Sequence, residues 1–380
     1  MLILETLRAR YGDSLLLHFG TAEEPRLVLI DGGPPGVYED ALKPRLEQLR
    51  EERELEDGTP LEIDLAMVSH IDEDHIAGIL KLARELKDLQ ESQEPVPWKI
   101  RRFWHNSFDD ILDNQEMAVA SAASVMSPAS IGDLLGPSGS LVLSSVGQGR
   151  ELRNLLEFLG LEGNASFKGL VRAGHKPIQL GDGLELTVVA PSEKNLLALQ
   201  KEWNTRIKTI LKKEHDKAEI ASFVDRSVYN LSSIVVLVES EGKRILLTGD
   251  GRGDHTLEGL AAAGLLDADG KIEIDVLKMP HHGSIRNVDA GYFEKIRARH
   301  YVISADGKFD NPDIPTLKLI SDARPDDDFT IHLTYPTDEF ELPAIGTAVA
   351  GFFAAEKAAG RKYRVETRKP GDLSFRIELA

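Results

Sequence analysis

Ser69-His70-Ile71-Asp72-Glu73-Asp74-His75 packs two imidazoles and three carboxylates into one short stretch. Such a group is costly to bury without cations, because each anion raises the pKa of the next. A pair of divalent ions removes that cost. Alternation along an extended loop puts His70, Asp72 and Asp74 on one side, and His75 opens the helix that follows. The plainer alternative is an acidic helix N-terminus that offsets the helix dipole. Two further clusters weigh against it. Leu246-Leu247-Thr248-Gly249-Asp250 is an apolar run with a carboxylate at its exit, placed where it could bridge two ions. Alone, Asp250 reads as an ordinary helix cap. Val276 to Ser284 runs through Lys278 into His281-His282-Gly283, and the glycine lets the backbone pass close to an ion or substrate.

These clusters need elements that present them together. Residues 1–7 and 14–19 read as a hairpin around Tyr11-Gly12-Asp13. Leu27–Ile30 is a short strand ending at Asp31, and residues 41–56 have the pattern of a charged helix. Leu65–Val68 is a strand that runs into the first cluster, with helical spacing over 76–90 and another strand at Ile100–Trp104. Gln148–Leu159 reads as a helix and Leu184–Val189 as a strand. In the second half, Ser233–Val238 and Arg244–Thr248 form a hairpin, and 255–264 is helical. Asp275–Lys278, Tyr301–Ser304, Thr330–Thr334 and Leu373–Leu379 are strands. All three clusters sit at strand exits, where open α/β sheets place their sites. The two halves predict two sheets packed face to face with helices outside, a four-layer αββα sandwich. We expect one domain over 1–380, with a helical insertion at about 192–228 and a variable loop region at about 107–150.

The chain has 380 residues, 42% hydrophobic and 28% charged, as a globular protein should. It has no cysteine, so disulfides and thiolate metal sites are excluded and any metal must take His and carboxylate ligands. The formal charge of -18 argues against a broad electrostatic grip on duplex nucleic acid. It does not exclude a nuclease, since bound cations supply local positive charge. No apolar run reaches the ~18 residues of a membrane span, and the opening residues read as a strand rather than a signal peptide. The expected location is cytoplasmic.

His70 to His75 resembles the HxHxDH signature of the metallo-β-lactamase superfamily, with Asp72 in place of the second His. Asp250 matches that family's bridging aspartate, His281 or His282 its last His ligand, and Asp31 its early supporting aspartate. The chain is more closely similar to the C-terminal hydrolase domain of the ComEC DNA-uptake channel and its stand-alone relatives. The matching pieces run in order from about residue 5 to 310. They are Tyr11-Gly12-Asp13-Ser14, Asp31-Gly32-Gly33, Ser69 to His75, Asn230-Leu231-Ser232-Ser233, Leu247 to Asp250 and His281 to Ser284.

The resemblance implies a metallo-β-lactamase-fold hydrolase with two divalent ions, zinc first and manganese next. One ion would sit on His70, Asp72 and Asp250. The other would sit on Asp74, His75, Asp250 and one of His281 or His282. Asp74 would also orient the attacking hydroxide. The remaining His, with Lys278 or Ser284, would meet the oxyanion or the leaving group. Asp31, Asn230 and Ser284 would support the ligands. The superfamily's usual third His is absent from Val228 to Ser233, which leaves the first ion short of a ligand. His105 and His175 are the candidate substitutes. The implied substrate is DNA, single-stranded DNA included, with Arg101, Arg102, Trp104, Lys208, Lys212 and Lys213 as candidate backbone contacts. Relatives of this type also stand in bacterial defence systems, which implies protein partners; no membrane is implied. Two other readings stand beside it: a hydrolase of a small ester such as a phosphocholine ester or lactone, with a pocket closed by 105–150, and a non-catalytic module stabilised by metal.

Overall fold

The computed structural model describes residues 1–107, 147–198, 201 and 232–379. Asn230, Lys208, Lys212 and Lys213 lie outside the described residues, as do most of the expected insertion and loop region.

The first hairpin is β1 (Leu2–Leu7) and β2 (Leu15–Gly20), and β2 pairs on with β3 (Pro25–Ile30). A short parallel pair, β4 (Leu61–Ile63) with β6 (Trp98–Ile100), stands apart from the larger sheets. Between them in sequence, β5 (Leu65–Met67) joins β3 in parallel, and β7 (Phe103–Trp104) joins β5. The terminal β16 (Ser374–Leu379) closes the other edge, giving the order β16-β1-β2-β3-β5-β7. The second sheet begins with β8 (Ile178–Gly181) and β9 (Leu184–Ala190), then the hairpin β10 (Val235–Ser240) and β11 (Lys243–Leu247). It continues in parallel through β12 (Ile272–Lys278), β13 (Ile296–Ile303), β14 (Thr330–Leu333) and β15 (Arg364–Thr367).

Side-chain alternation sets the layers, because successive residues of a strand face opposite sides. Leu17, Val28, Ile30, Met67, Leu247, Val276 and Val302 pack into one buried layer between the sheets. Their neighbours Leu16, Leu29 and Ala66 face outward onto α1 (Lys43–Glu52) and α2 (Glu73–Ser92), meeting Leu46, Ile79 and Leu82. On the other side, Leu246, Leu277 and Tyr301 face α3 (Gly253–Ala262), α4 (Ala290–Lys295) and α5 (Ile314–Ala323), meeting Leu260, Phe293 and Leu317. A further helix, α6 (Pro343–Ala358), packs on this outer side through Val349. The architecture is therefore the expected four-layer αββα sandwich. Among the described residues no helix is long and apolar enough to cross a membrane.

Two expectations need correction. The helix expected over 76–90, with His75 opening it, starts at Glu73, so Asp74 lies in its first turn and not in an extended loop. Asp72 takes the extended N-cap conformation, and Glu73 and Asp74 suit the positive end of the helix dipole. The strand expected at Ile100–Trp104 is two short strands in different sheets. Arg101 bonds back to Ile63 through its N–H, while the carbonyl of Arg102 accepts from Ala66, so the chain switches partners between them.

Candidate metal centre

Strands β3 and β5 of one sheet and β11, β12 and β13 of the other end at the same edge of the sandwich. Their exits carry Asp31, His70, Asp250, His281 with His282, and Ser304. Backbone hydrogen bonds sew the sheets together here. Between the sheets, Ile234 N–H donates to the Ser69 carbonyl at 2.8 Å; within the second sheet, His281 N–H donates to the Gly249 carbonyl at 3.1 Å and ties the exits of β11 and β12 together. The Ser304 hydroxyl donates to the Gly12 carbonyl at 2.6 Å. Glycines permit the close approach. A Cβ on Gly78 would lie 2.0 Å from the Gly32 carbonyl oxygen, so α2 can cross the loop after β3 only as it is. That crossing brings His75 to Asp31, whose carboxylate takes His75 Nδ1 at 2.9 Å, the Ser69 N–H at 2.7 Å and the Ser69 hydroxyl at 2.6 Å.

The His pair sits in an unusual turn. His281 and His282 have φ of 47° and 55°, and Gly283 follows at 86°. Left-handed backbone at two non-glycine residues costs about 1–3 kcal/mol each and is found where geometry serves a site. The turn splits the two rings, whose planes stand 81° apart. They reach Asp250 from different sides. His281 Nε2 lies 3.5 Å from Asp250 Oδ2, and His282 Nε2 lies 3.6 Å from Oδ1.

Two donor sets result, sharing Asp250. The outer set is His70 Nε2, 3.5 Å from Asp72 Oδ2 and 3.6 Å from Asp250 Oδ2, together with His281. The inner set is His75 Nε2, 3.3 Å from Asp250 Oδ1, and His282 Nε2, 3.4 Å from Asp74 Oδ2. Among the described residues, His70 Nε2, His75 Nε2, His282 Nε2 and Asp250 Oδ1 are buried and make no hydrogen bond of normal geometry. Ligand atoms around a tetrahedral ion with bonds of about 2.0–2.1 Å stand about 3.3 Å from one another. The observed spacing of 3.3–3.6 Å matches that of atoms around a shared ion. The rings are oriented from behind. His282 Nδ1 meets the Ser304 carbonyl at 2.8 Å, and His281 Nδ1 meets Asn287 Oδ1 at 2.8 Å. Asn287 also donates to the Asp250 carbonyl at 2.8 Å.

Electrostatics agree with a site built for cations. Burial pushes the Asp250 carboxyl up, yet His281, His75, His282 and His70 hold it well below the usual carboxylate range. Burial pushes His75 down, and Asp250, Asp74 and Asp31 overcome it to hold the imidazole well above its ordinary value. His282 is pushed up to about 9 by Asp250 and Asp13 against the effect of burial. The carboxylates thus dominate the cluster's field, which is the field that dications would suit.

The absent third His has an explanation in this geometry: His281 faces the outer set beside His70, so the adjacent His residues serve different sides of Asp250. His105 and His175 do not join either set. His105 is buried with its backbone N–H on Asn164 Oδ1, and His175 lies edge-on to Phe167. Lys278 does not reach the open side; it is 0% exposed and ion-paired to Asp13. Ser284 is a buried turn residue whose N–H donates to the His281 carbonyl at 2.9 Å. Trp104 is no surface contact, being buried against Phe167 at 5.0 Å. Sequence reasoning gave Asp13 no role beyond a turn, although its carboxylate lies 3.5 Å from His282 Nδ1 and 3.9 Å from His75 Nδ1. The only signal for it was its place within Tyr11 to Ser14.

No family model matches the chain, and no curated protein matches it. Among solved structures it is similar to a protein named as a metal-dependent hydrolase from Parabacteroides distasonis, at 10% identity and a TM-score of 0.35, over 87% of this chain and 92% of that one. It is similar to Zn(2+)-bound PqqB from Methylobacterium extorquens, at 10% identity and 0.37, over 96% and 87%. It is also similar to CmlA, a diiron β-hydroxylase from Streptomyces venezuelae, at 11% identity and 0.40, over 99% of this chain and 54% of that one. These scores are low, and the architecture rests on the chain's own sheets and core layers.

Proposed function

We propose that the chain is a two-metal hydrolase of the metallo-β-lactamase kind that cleaves phosphodiester bonds, with single-stranded DNA as its substrate. The observation that carries the metal reading is the spacing of 3.3 to 3.6 Å among buried imidazole nitrogens and carboxylate oxygens around Asp250. His70, Asp72, His281 and Asp250 would hold one ion, and Asp74, His75, His282 and Asp250 the other. Zinc suits the four imidazoles, and the three carboxylates admit manganese. Bound divalent ions supply Lewis acidity and water activation at neutral pH.

The chain's own residues do the rest. Asp31, Ser304 and Asn287 lock the ring orientations from behind. Substrate enters on the side of Asp72, Asp74 and His281, whose side chains are 30%, 22% and 28% exposed. Asp74, open to that side, orients the attacking water and takes its proton. Both His281 and His282 face Asp250, so neither is assigned the leaving-group proton. Support for a nucleic-acid strand comes from the rim. Phe309 is 62% exposed and meets Tyr11 edge-on at 5.1 Å, with the Lys308 ammonium 4.3 Å from the Tyr11 ring centre. Tyr11 also feels Glu73 and Asp74, which together with burial push its hydroxyl up to about 12. An exposed aromatic face with a cation beside it stacks bases without regard to sequence. A defence or DNA-processing system with protein partners is the setting proposed for this activity.

The test is cleavage of labelled single- and double-stranded DNA with Zn²⁺, Mn²⁺ or Mg²⁺, run beside Asp74→Ala. The expected outcome is metal-dependent cleavage that the substitution abolishes with the fold intact. Full activity in Asp74→Ala, or cleavage indifferent to metal, would overturn the reading.

A further inference from the structure

Lys278 and Asp13 form an ion pair, each side chain 1% exposed, that the mechanism above does not use. Burying two charges costs several kcal/mol per ion before their attraction is counted, so their placement calls for a reason. Asp13 comes from the β1–β2 turn, where its N–H donates to the Asp74 carbonyl at 3.2 Å. Lys278 is the last residue of β12, three positions before His281. The two Asp13 oxygens face different rings: Oδ1 lies 3.5 Å from His282 Nδ1 and Oδ2 3.9 Å from His75 Nδ1. Each of those nitrogens already has its hydrogen-bond partner, the Ser304 carbonyl and Asp31 respectively. Asp13 is therefore a shared anion behind both inner imidazoles. Behind the outer rings stand neutral groups, Asn287 for His281 and the Ser69 hydroxyl for His70.

We propose that the Asp13–Lys278 pair is a positioning device that makes the inner metal position the tighter of the two, so that the ions load in order, inner before outer. An anion behind a ligating imidazole raises its basicity and fixes its ring, and losing such a partner typically costs 10–100-fold in metal affinity. Lys278 keeps the device from overcharging the centre. Asp13, Asp31, Asp72, Asp74 and Asp250 carry five negative charges, which two dications and one ammonium balance. Both imidazoles of the inner set are closed off, His75 and His282 at 0% and 3% exposed, whereas of the outer pair His70 is 0% and His281 28% exposed. The inference rests on the two-metal reading.

The experiment is calorimetric titration of the metal-free full chain with Zn²⁺, comparing the parent with the double variant Asp13→Asn/Lys278→Met. Removing both charges together avoids stranding either one in the interior, and circular dichroism checks that the variant folds. The parent is expected to bind two ions with separable constants. The double variant should lose 10–100-fold in the tighter constant and keep the weaker one. Asn287→Ala, behind His281, should do the reverse. A folded double variant with both constants unchanged, or with both reduced alike, overturns the proposal and leaves the metal reading standing. A parent that binds no divalent ion overturns the metal reading and the proposal with it. Should the double variant fail to fold, the comparison passes to Asp13→Asn alone, judged by the same two constants.

Discussion

Gly12→Ala tests how tightly the edge that carries the His and Asp cluster is assembled. A Cβ at Gly12 would stand 1.9 Å from the Asp74 carbonyl oxygen, 2.8 Å from its carbonyl carbon and 2.7 Å from Pro34 Cδ. Ordinary contact begins near 3.4 Å, so the new methyl is about 1.5 Å too close to a helix backbone. Two of the three obstacles are main-chain atoms, and the third belongs to a rigid ring. The β1–β2 turn and the first turn of α2 must then move apart, carrying Asp13 and Asp74 with them. Overpacking of this kind costs about 1–3 kcal/mol of stability, and misplacing a reacting group by about 1 Å costs about 100-fold in rate. The assay pairs urea unfolding with metal-dependent turnover of bis(p-nitrophenyl) phosphate. Gly351→Ala is the control: it lies within α6, nothing stands within 4 Å of the place its methyl would take, and it should gain about 1 kcal/mol. If Gly12→Ala keeps parental stability and turnover, the close approach does not position the site and the reasoning fails.

Three more outcomes are expected. Chelation should lower the thermal midpoint, since ligand at 100 times its Kd stabilises by about 2.7 kcal/mol; that stabilisation should shrink as pH falls from 9 to 6, because His282, at about 9 in the free cluster, must shed a proton to bind metal. An unaltered midpoint after chelation would count against any tight site. Phe309→Ala should raise KM for a single-stranded oligonucleotide several-fold and leave turnover of bis(p-nitrophenyl) phosphate as it was; equal effects on both substrates would remove the base-stacking role. Glu5 is fully buried and, against the upward push of burial, is held far below the usual carboxylate range by His18, Arg45 and Ser374. Its contribution is present above the unfolded value of about 4.3 and is lost as pH falls toward the folded value. Urea midpoints measured from pH 6 down to 2 should therefore fall for the parent and fall less steeply for Glu5→Gln; parallel curves would refute this.

The strands and the ligand clusters were legible because they depend on local pattern. Short apolar runs marked β5, β11 and β12, and the polar residues at their exits stood out against them. What sequence could not show was which atoms meet. The division of labour between His281 and His282 depends on two left-handed residues that no composition announces. Asp13 looked like a turn former, since its partners His75, His282 and Lys278 are far away in the chain. Lys278 looked available for catalysis because a lysine after an apolar strand normally reaches solvent. The helix α6 escaped notice because its alanine-rich sequence buries only Gly346 and Val349 and so carries no clear stripe. Trp104, read as a surface aromatic, is drawn into the layer between the sheets.

His70, Asp72, Asp74 and His75 follow a strand of one sheet, while Asp250, His281 and His282 follow strands of the other. Any ion held by both groups acts as a rivet across the central layer, and its occupancy gauges the alignment of the two plates. A slide of a few tenths of an ångström between them would spoil both coordination spheres together. Damage deep in that layer, at Val276 or Val302 for example, would then be felt first as a loosened rivet, well before the sandwich itself comes apart.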